Sequence, residues 1–134
     1  MLILVVEDDE ANRHLLTRAL EAQGYVVEAR GSAFGLVNRM AGRTGERVPD
    51  ALVLDHGLPG LSGQGVLELL AKDPVARNIP VVLYSAVDLG SLQSYAAVHP
   101  RCVAIQKSGH VREVVMELRR ALGAPAVALA RTDV

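Results

Sequence analysis

Five short apolar runs, Leu2 to Val6, Tyr25 to Ala29, Ala51 to Leu54, Val81 to Tyr84 and Cys102 to Gln106, recur along the chain with longer segments of helical period between them. That alternation restricts the fold more than any other feature. Largely unbroken apolar runs suit strands buried on both faces, the condition of a parallel sheet, whereas half-exposed antiparallel strands alternate apolar with polar. Parallel neighbours need crossover connections, and each gap is long enough to hold a helix. The expected class is therefore α/β, a doubly wound five-stranded parallel sheet with helices on both faces.

The first helix is predicted to start from Asp9 as N-cap, to turn Ala11, Leu15, Ala19 and Leu20 inward, and to stop where Gly24 takes the left-handed position. Arg13, Thr17, Arg18 and Glu21 would face outward. A second helix is expected near Ser32 to Arg43, running into the polar stretch Gly42 to Pro49, which reads as a mobile loop. The third begins after Ser62-Gly63 and ends before Pro74, and the fourth lies near Asp88 to Val98. In the last helix Val111, Val114, Val115, Leu118 and Leu122 share one face, with Arg112, Glu113, Glu117, Arg119 and Arg120 on the other. Past Gly123 an Ala-rich tail interrupted by Pro125 is expected to fray, giving a domain over 1–122 and a flexible tail over 123–134.

At 134 residues the chain holds one domain, and Met1 directly before the first strand reads as a natural start. With 14 basic against 15 acidic side chains, it is not built to coat polyanions, and direct nucleic-acid binding is not expected. The single cysteine, Cys102, allows neither an internal disulfide nor a Cys-rich zinc site, which fits a reducing cytoplasm; it reads as a small buried hydrophobe. The apolar start meets Glu7-Asp8-Asp9 too soon for a signal peptide, and no run approaches the roughly 20 apolar residues of a membrane helix. His14, His56, His99 and His110 lie on separate segments without metal-binding spacing.

Ligands of open α/β sheets bind beyond the carboxyl ends of the strands. Here those ends are occupied by Glu7-Asp8-Asp9, Asp55, Ser85 and Lys107. Clustered carboxylates repel one another unless a cation neutralises them, and a hard divalent ion is the natural partner. Magnesium takes octahedral oxygen ligation, keeps several waters and is commonly held by one or two carboxylates together with phosphate oxygen. An ammonium and a hydroxyl facing such a site would stabilise a phosphoryl group, one as a point charge and the other as a donor. The set suits phosphoryl transfer to a carboxylate.

Val-Val-Glu7-Asp8-Asp9, the run Asp55-His-Gly-Leu-Pro59-Gly-Leu-Ser-Gly63, Leu-Tyr-Ser85-Ala86 and Lys107 together resemble the receiver domains of two-component response regulators, over about Leu2 to Leu122. The resemblance implies a flavodoxin-like sheet of strand order 2-1-3-4-5. It makes Asp55 the phosphorylation site and Asp8 a direct Mg2+ ligand, with Glu7 acting through water and the backbone carbonyl of Gly57 completing the protein's share. Ser85 and Lys107 would grip the phosphoryl oxygens, and Ala86 would leave room for the incoming group. A sensor histidine kinase or histidine phosphotransfer protein would be the donor. The chain would then be a stand-alone phosphoacceptor, monomeric or weakly dimeric, signalling to an unknown downstream protein, and no enzyme beyond slow self-catalysed transfer and dephosphorylation.

Three features depart from the family pattern. Lys107 is followed by Ser108 and Gly109 where receivers usually have proline, and the usual switch aromatic, three residues before that lysine, falls on Ala104. Tyr84 could substitute only from the wrong side, because adjacent strand residues face opposite ways. Val98 to Cys102 also replaces the usual small pair before the fifth strand, marking the output face as atypical. A competing expectation is thus a phosphorylation-independent partner-binding module. A magnesium-dependent phosphatase with Asp55 as nucleophile is disfavoured, since such enzymes place an acid two residues on, where Gly57 stands.

Overall fold

Burial sorts the strands by position. In the computed structural model, which describes residues 1–55, 57, 63–107 and 111–123, β1 (Leu2–Val6), β3 (Ala51–Leu54) and β4 (Val81–Ser85) are buried along their whole length. β2 (Val26–Arg30) and β5 (Cys102–Gln106), which are partly exposed, form the edges. All pairings are parallel, in the order β2-β1-β3-β4-β5. This is the doubly wound, flavodoxin-like arrangement expected from the strand pattern and the resemblance.

Alternate strand residues build two cores. Leu4, Leu52, Leu54 and Leu83 point to one face, covered by α2 (Leu36–Met40), α3 (Gly63–Lys72) and α4 (Leu89–Ala96). Ile3, Val5, Val53, Val82 and Ile105 point to the other, covered by α1 (Glu10–Glu21) and α5 (Arg112–Leu122). In α5, Val114 and Leu118 are buried and Val111, Val115 and Leu122 half-buried, the stripe anticipated from spacing. Among the described residues no helix is long and apolar enough to cross a membrane.

Several expectations shift. Leu16 and Leu20 are the buried residues of α1, whereas Ala11 is exposed and Leu15 is 55% exposed. Leu15 and Leu20 lie about 140° apart around a helix, so one stripe cannot hold both, while Leu16 and Leu20 are i, i+4 neighbours. The Asp9 cap and the left-handed Gly24 are as expected: the Asp9 carboxylate accepts from the Asn12 amide at 2.8 Å, and Gly24 has φ 93°. Tyr25 precedes β2 rather than opening it, since its N–H donates to Leu20 O at 3.3 Å.

The second helix is five residues long and not the span Ser32 to Arg43. Gly35, at φ 69°, precedes its first turn and Gly42, at φ 78°, follows its last. Beyond it the stretch read as a mobile loop is tied down by Arg39, whose buried guanidinium donates to the Arg47 carbonyl. The fourth helix is shorter than Asp88 to Val98 because Asp88 is its N-cap, accepting from Ser91 N at 3.0 Å. A 3-10 turn at Ala76–Asn78, unanticipated, follows α3, with the Asp73 carboxylate accepting from the amides of Val75 and Ala76. The expected tail beyond Gly123 lies outside the described residues.

Candidate functional site

Main-chain bonding carries the sheet one residue past its strands and delivers the polar groups to a common rim. Glu7 N–H donates to Arg30 O at 3.0 Å and Asp55 N–H to Val6 O at 3.1 Å, while Lys107 N–H donates to Ser85 O at 2.7 Å. Glu7 and Asp55 are buried and Asp8 is exposed. One carboxylate oxygen from each of Glu7, Asp8 and Asp55 falls within 4.8 Å of the others. The ends of β1 and β3 therefore supply one acidic cluster.

Lys107 bridges two of these acids. Its Nζ lies 2.5 Å from Glu7 Oε1 and 3.4 Å from Asp55 Oδ2, and 5.6 Å from the centroid of the Tyr84 ring. Gly57 N–H donates to Asp55 Oδ1 at 3.0 Å. Ser85 is buried at the end of β4, and its Oγ accepts from the Val87 amide at 3.4 Å. Of the residues singled out from the sequence, Glu7, Asp8, Asp55, Gly57 and Lys107 are thus joined in one cluster, with Ser85 on the neighbouring strand end. His56 and the Ser108-Gly109 departure lie outside the described residues.

The acids do not titrate alike. Burial, reinforced by a hydrogen bond with Asp55 and by its charge, pushes Glu7 up to about 7 against the opposing pull of Lys107. Burial also opposes ionisation of Asp55, but hydrogen bonds from Glu7 and the Gly57 amide, together with the Lys107 charge, outweigh it and hold Asp55 below its ordinary value. Lys107 likewise stays charged: burial works against its ammonium, and the Glu7 hydrogen bond and both carboxylates more than compensate. One proton shared between two close carboxyls is the usual relief of such repulsion. Glu7 Oε2 is nevertheless buried with no donor facing it among the described residues. A buried acceptor without a donor, beside two further carboxylates, fits a hard cation with oxygen ligation.

Residues 3–115 match the family model of the response regulator receiver domain. The chain belongs to that family. Among curated relatives, this receiver domain is 44% identical to the response regulator PleD of Caulobacter vibrioides over 87 residues, which cover 64% of the chain and 18% of PleD. The phosphate regulon transcriptional regulatory protein PhoB of Rhizobium meliloti is 38% identical over 86 residues, 63% of the chain and 35% of PhoB. The chain thus matches only about a fifth to a third of the length of these two relatives. Among solved structures, the receiver domain of the sensor histidine kinase PA1611 from Pseudomonas aeruginosa PAO1, which has a magnesium ion coordinated in its active site cleft, superposes with TM-score 0.74 at 24% identity. That match covers 89% of this chain and 94% of the other, and shows the shared fold.

The departure at position 104 has a structural counterpart in the receiver domain. Ala104 pairs with Leu83 and packs on the α2/α3/α4 core, whereas Tyr84 pairs with Ile105 and packs on the opposite core. Tyr84 is therefore on the wrong side to replace an aromatic at 104, as strand alternation requires. Tyr95 of α4 packs against the same core cluster as Ala104.

Sequence reading missed one pairing and one participant. The Lys107–Glu7 pair joins residues too distant in sequence for any local signal. Arg13, placed on the outward face of α1, instead folds back so that Nη1 donates to Glu7 O at 2.9 Å. The signal available for it was its position one helical turn past the Asp9 cap.

Proposed function

We propose that Asp55 is the phosphoacceptor of a two-component switch, receiving its phosphoryl group from a phosphohistidine on a sensor histidine kinase or histidine phosphotransfer protein. The observation that carries this reading is an ionised Asp55 held among Glu7, Asp8 and Lys107 at the rim where four strands end. An Asp55 carboxylate oxygen forms the new bond to phosphorus as the phosphorus–nitrogen bond breaks, and the imidazole leaves with that electron pair. The nucleophile is already deprotonated, so no general base is required.

Mg2+ would be held directly by Asp8 and Asp55 and by the Gly57 carbonyl, with Glu7 acting through water. When bound, it neutralises the acids and the charge on the transferring group. Lys107, released in part from Glu7, and the Ser85 hydroxyl would then grip the phosphoryl oxygens. As in receiver domains generally, the domain accepts a phosphoryl group rather than turning over a substrate. In this reading it acts in the cytoplasm as a stand-alone, monomeric or weakly dimeric switch on a downstream protein. The test is to incubate the chain with magnesium and acetyl phosphate and measure intact mass. One added phosphoryl group is expected, and a wild-type chain that never labels under conditions that label another receiver refutes the switch.

A second reading follows from Ala104. Without an aromatic there, the fourth helix and fifth strand could form a constitutive binding face for which phosphorylation is vestigial. Partner binding that is equal with and without the adduct would select it.

The raised Glu7 sets a pH dependence. Folded Glu7 keeps its proton up to about 7, whereas the unfolded residue loses it near 4.5, so without a cation Glu7 adds stability that is lost as pH rises through about 7. A cation needs the ionised form. The gain in unfolding temperature from saturating magnesium chloride is therefore expected to be small at about pH 6 and larger at about pH 8. His99, which burial holds below its ordinary value, acts in the opposite direction in acid, but equally with and without the ion. Its effect cancels in the difference, and a magnesium increment that stays flat across this range would exclude Glu7 from the site.

A further inference from the structure

Arg13 lies between the turn after β1, which carries Glu7 and Asp8, and Gly31 after β2. It starts on α1, yet its Nη1 donates to Glu7 O at 2.9 Å and to Asp8 O at 3.4 Å. Both acceptors are main-chain oxygens of residues whose carboxylates belong to the cluster. Gly31, just past β2, lies against the same Nη1. A Cβ on Gly31 would lie 3.1 Å from Arg13 Nη1 and 3.8 Å from Cζ, closer to the former than most real Cβ contacts allow. Gly31 is not among the glycines at positive φ. What its lack of a side chain supplies is space.

We propose that Arg13 is a positioning residue for the cation site, with Gly31 as its berth. The guanidinium ties the carbonyls of Glu7 and Asp8 to the first turns of α1, and so fixes where the β1–α1 turn aims its two carboxylates. Both carbonyls lie just past the last residue of β1, and the two N–H groups on Nη1 suit two neighbouring acceptors. Partners that orient metal ligands commonly change metal affinity by about tenfold or more when removed. This inference rests on reading the cluster as a magnesium site.

Charge and positioning predict opposite signs, which makes the test decisive. A cation beside the carboxylates repels Mg2+, so if Arg13 acted only through its charge, Arg13→Ala would tighten magnesium binding. If it positions the turn, Arg13→Ala weakens binding. The experiment is calorimetric titration of the full chain with magnesium chloride at about 0.15 M ionic strength, where longer-range charge effects are screened, with unfolding temperatures measured in metal-free buffer. Expected are a loss of about tenfold in magnesium affinity for Arg13→Ala and little change in its metal-free unfolding temperature. Gly31→Val should lose affinity in the wild-type background and cost nothing further when Arg13 is already alanine.

Failure of the wild type to bind magnesium would overturn both the site and this inference. Binding by wild type with equal or tighter binding by Arg13→Ala overturns the positioning role alone. Additive losses from Gly31→Val and Arg13→Ala overturn the shared berth.

Discussion

Asp55→Asn is expected to abolish phosphoryl labelling altogether while leaving the fold intact. The carboxamide keeps the shape of the side chain and can still accept from the Gly57 amide. It has no carboxylate oxygen with which to form an acyl phosphate. Its removal also eliminates the charge that helps raise Glu7 and one of the two acids that Lys107 bridges. The variant should therefore carry Glu7 as an ion at lower pH, paired with Lys107 alone. Intact mass after incubation with magnesium and acetyl phosphate is the readout. An adduct on Asp55→Asn equal to that on wild type would place the acceptor elsewhere.

Two companion variants separate the roles around that acceptor. Asp8→Ala should weaken magnesium binding, since it removes the one exposed acid of the cluster. Lys107→Ala leaves the nucleophile in place and should still label, but it removes the cation now bonded to Glu7 and approaching Asp55. Any response that depends on the lysine moving from Glu7 to a phosphoryl oxygen would be lost with it.

The sheet and the acidic rim were legible because both depend on strand ends, and strands announce themselves by apolar runs. β1, β3 and β5 begin and end where composition alone places them. Helix phase was harder to read. Leu15 and Leu16 are chemically equivalent, and only the sheet face formed by Ile3 and Val5 decides which turns inward. The second helix was overestimated because glycine tolerates both helical and left-handed backbone, and tertiary context places Gly35 and Gly42 in the latter. Within the site, residue types and strand positions were readable, but the pairing of Lys107 with Glu7 before Asp55 depends on distances that close only on folding.

The other large effect lies away from the site, in a residue the sequence did not distinguish from a surface charge. Arg39 is 2% exposed, within α2. It donates from Nη2 to Glu28 Oε1 at 3.0 Å and from Nη1 to the Arg47 carbonyl, and its Nε lies 3.5 Å from Glu46 Oε2. The guanidinium thereby ties α2 and the segment after it to edge strand β2. Arg39→Ala would leave the Arg47 carbonyl without this donor, Glu28 with Arg30 as its remaining pair, and a void where the stem packs. Removing one partner of a buried pair costs about 3–5 kcal/mol, and because Glu28 is partly exposed the lower end applies.

Arg39→Met fills the void without restoring the charge, so it should recover the packing share and leave the electrostatic one missing. Urea unfolding with an unchanged slope is the measurement. Acid provides an internal control. Burial resists ionisation of Glu28, but Arg39 and Arg30 hold its pKa below the ordinary value, so the pair adds stability that is present above 4.5 and lost as pH falls through the depressed value. The gap between wild type and Arg39→Met should narrow in that acidic range. If Arg39→Ala instead unfolds within about 0.5 kcal/mol of wild type at neutral pH, as an ordinary surface substitution would, the burial of Arg39 contributes nothing to holding α2 on the sheet.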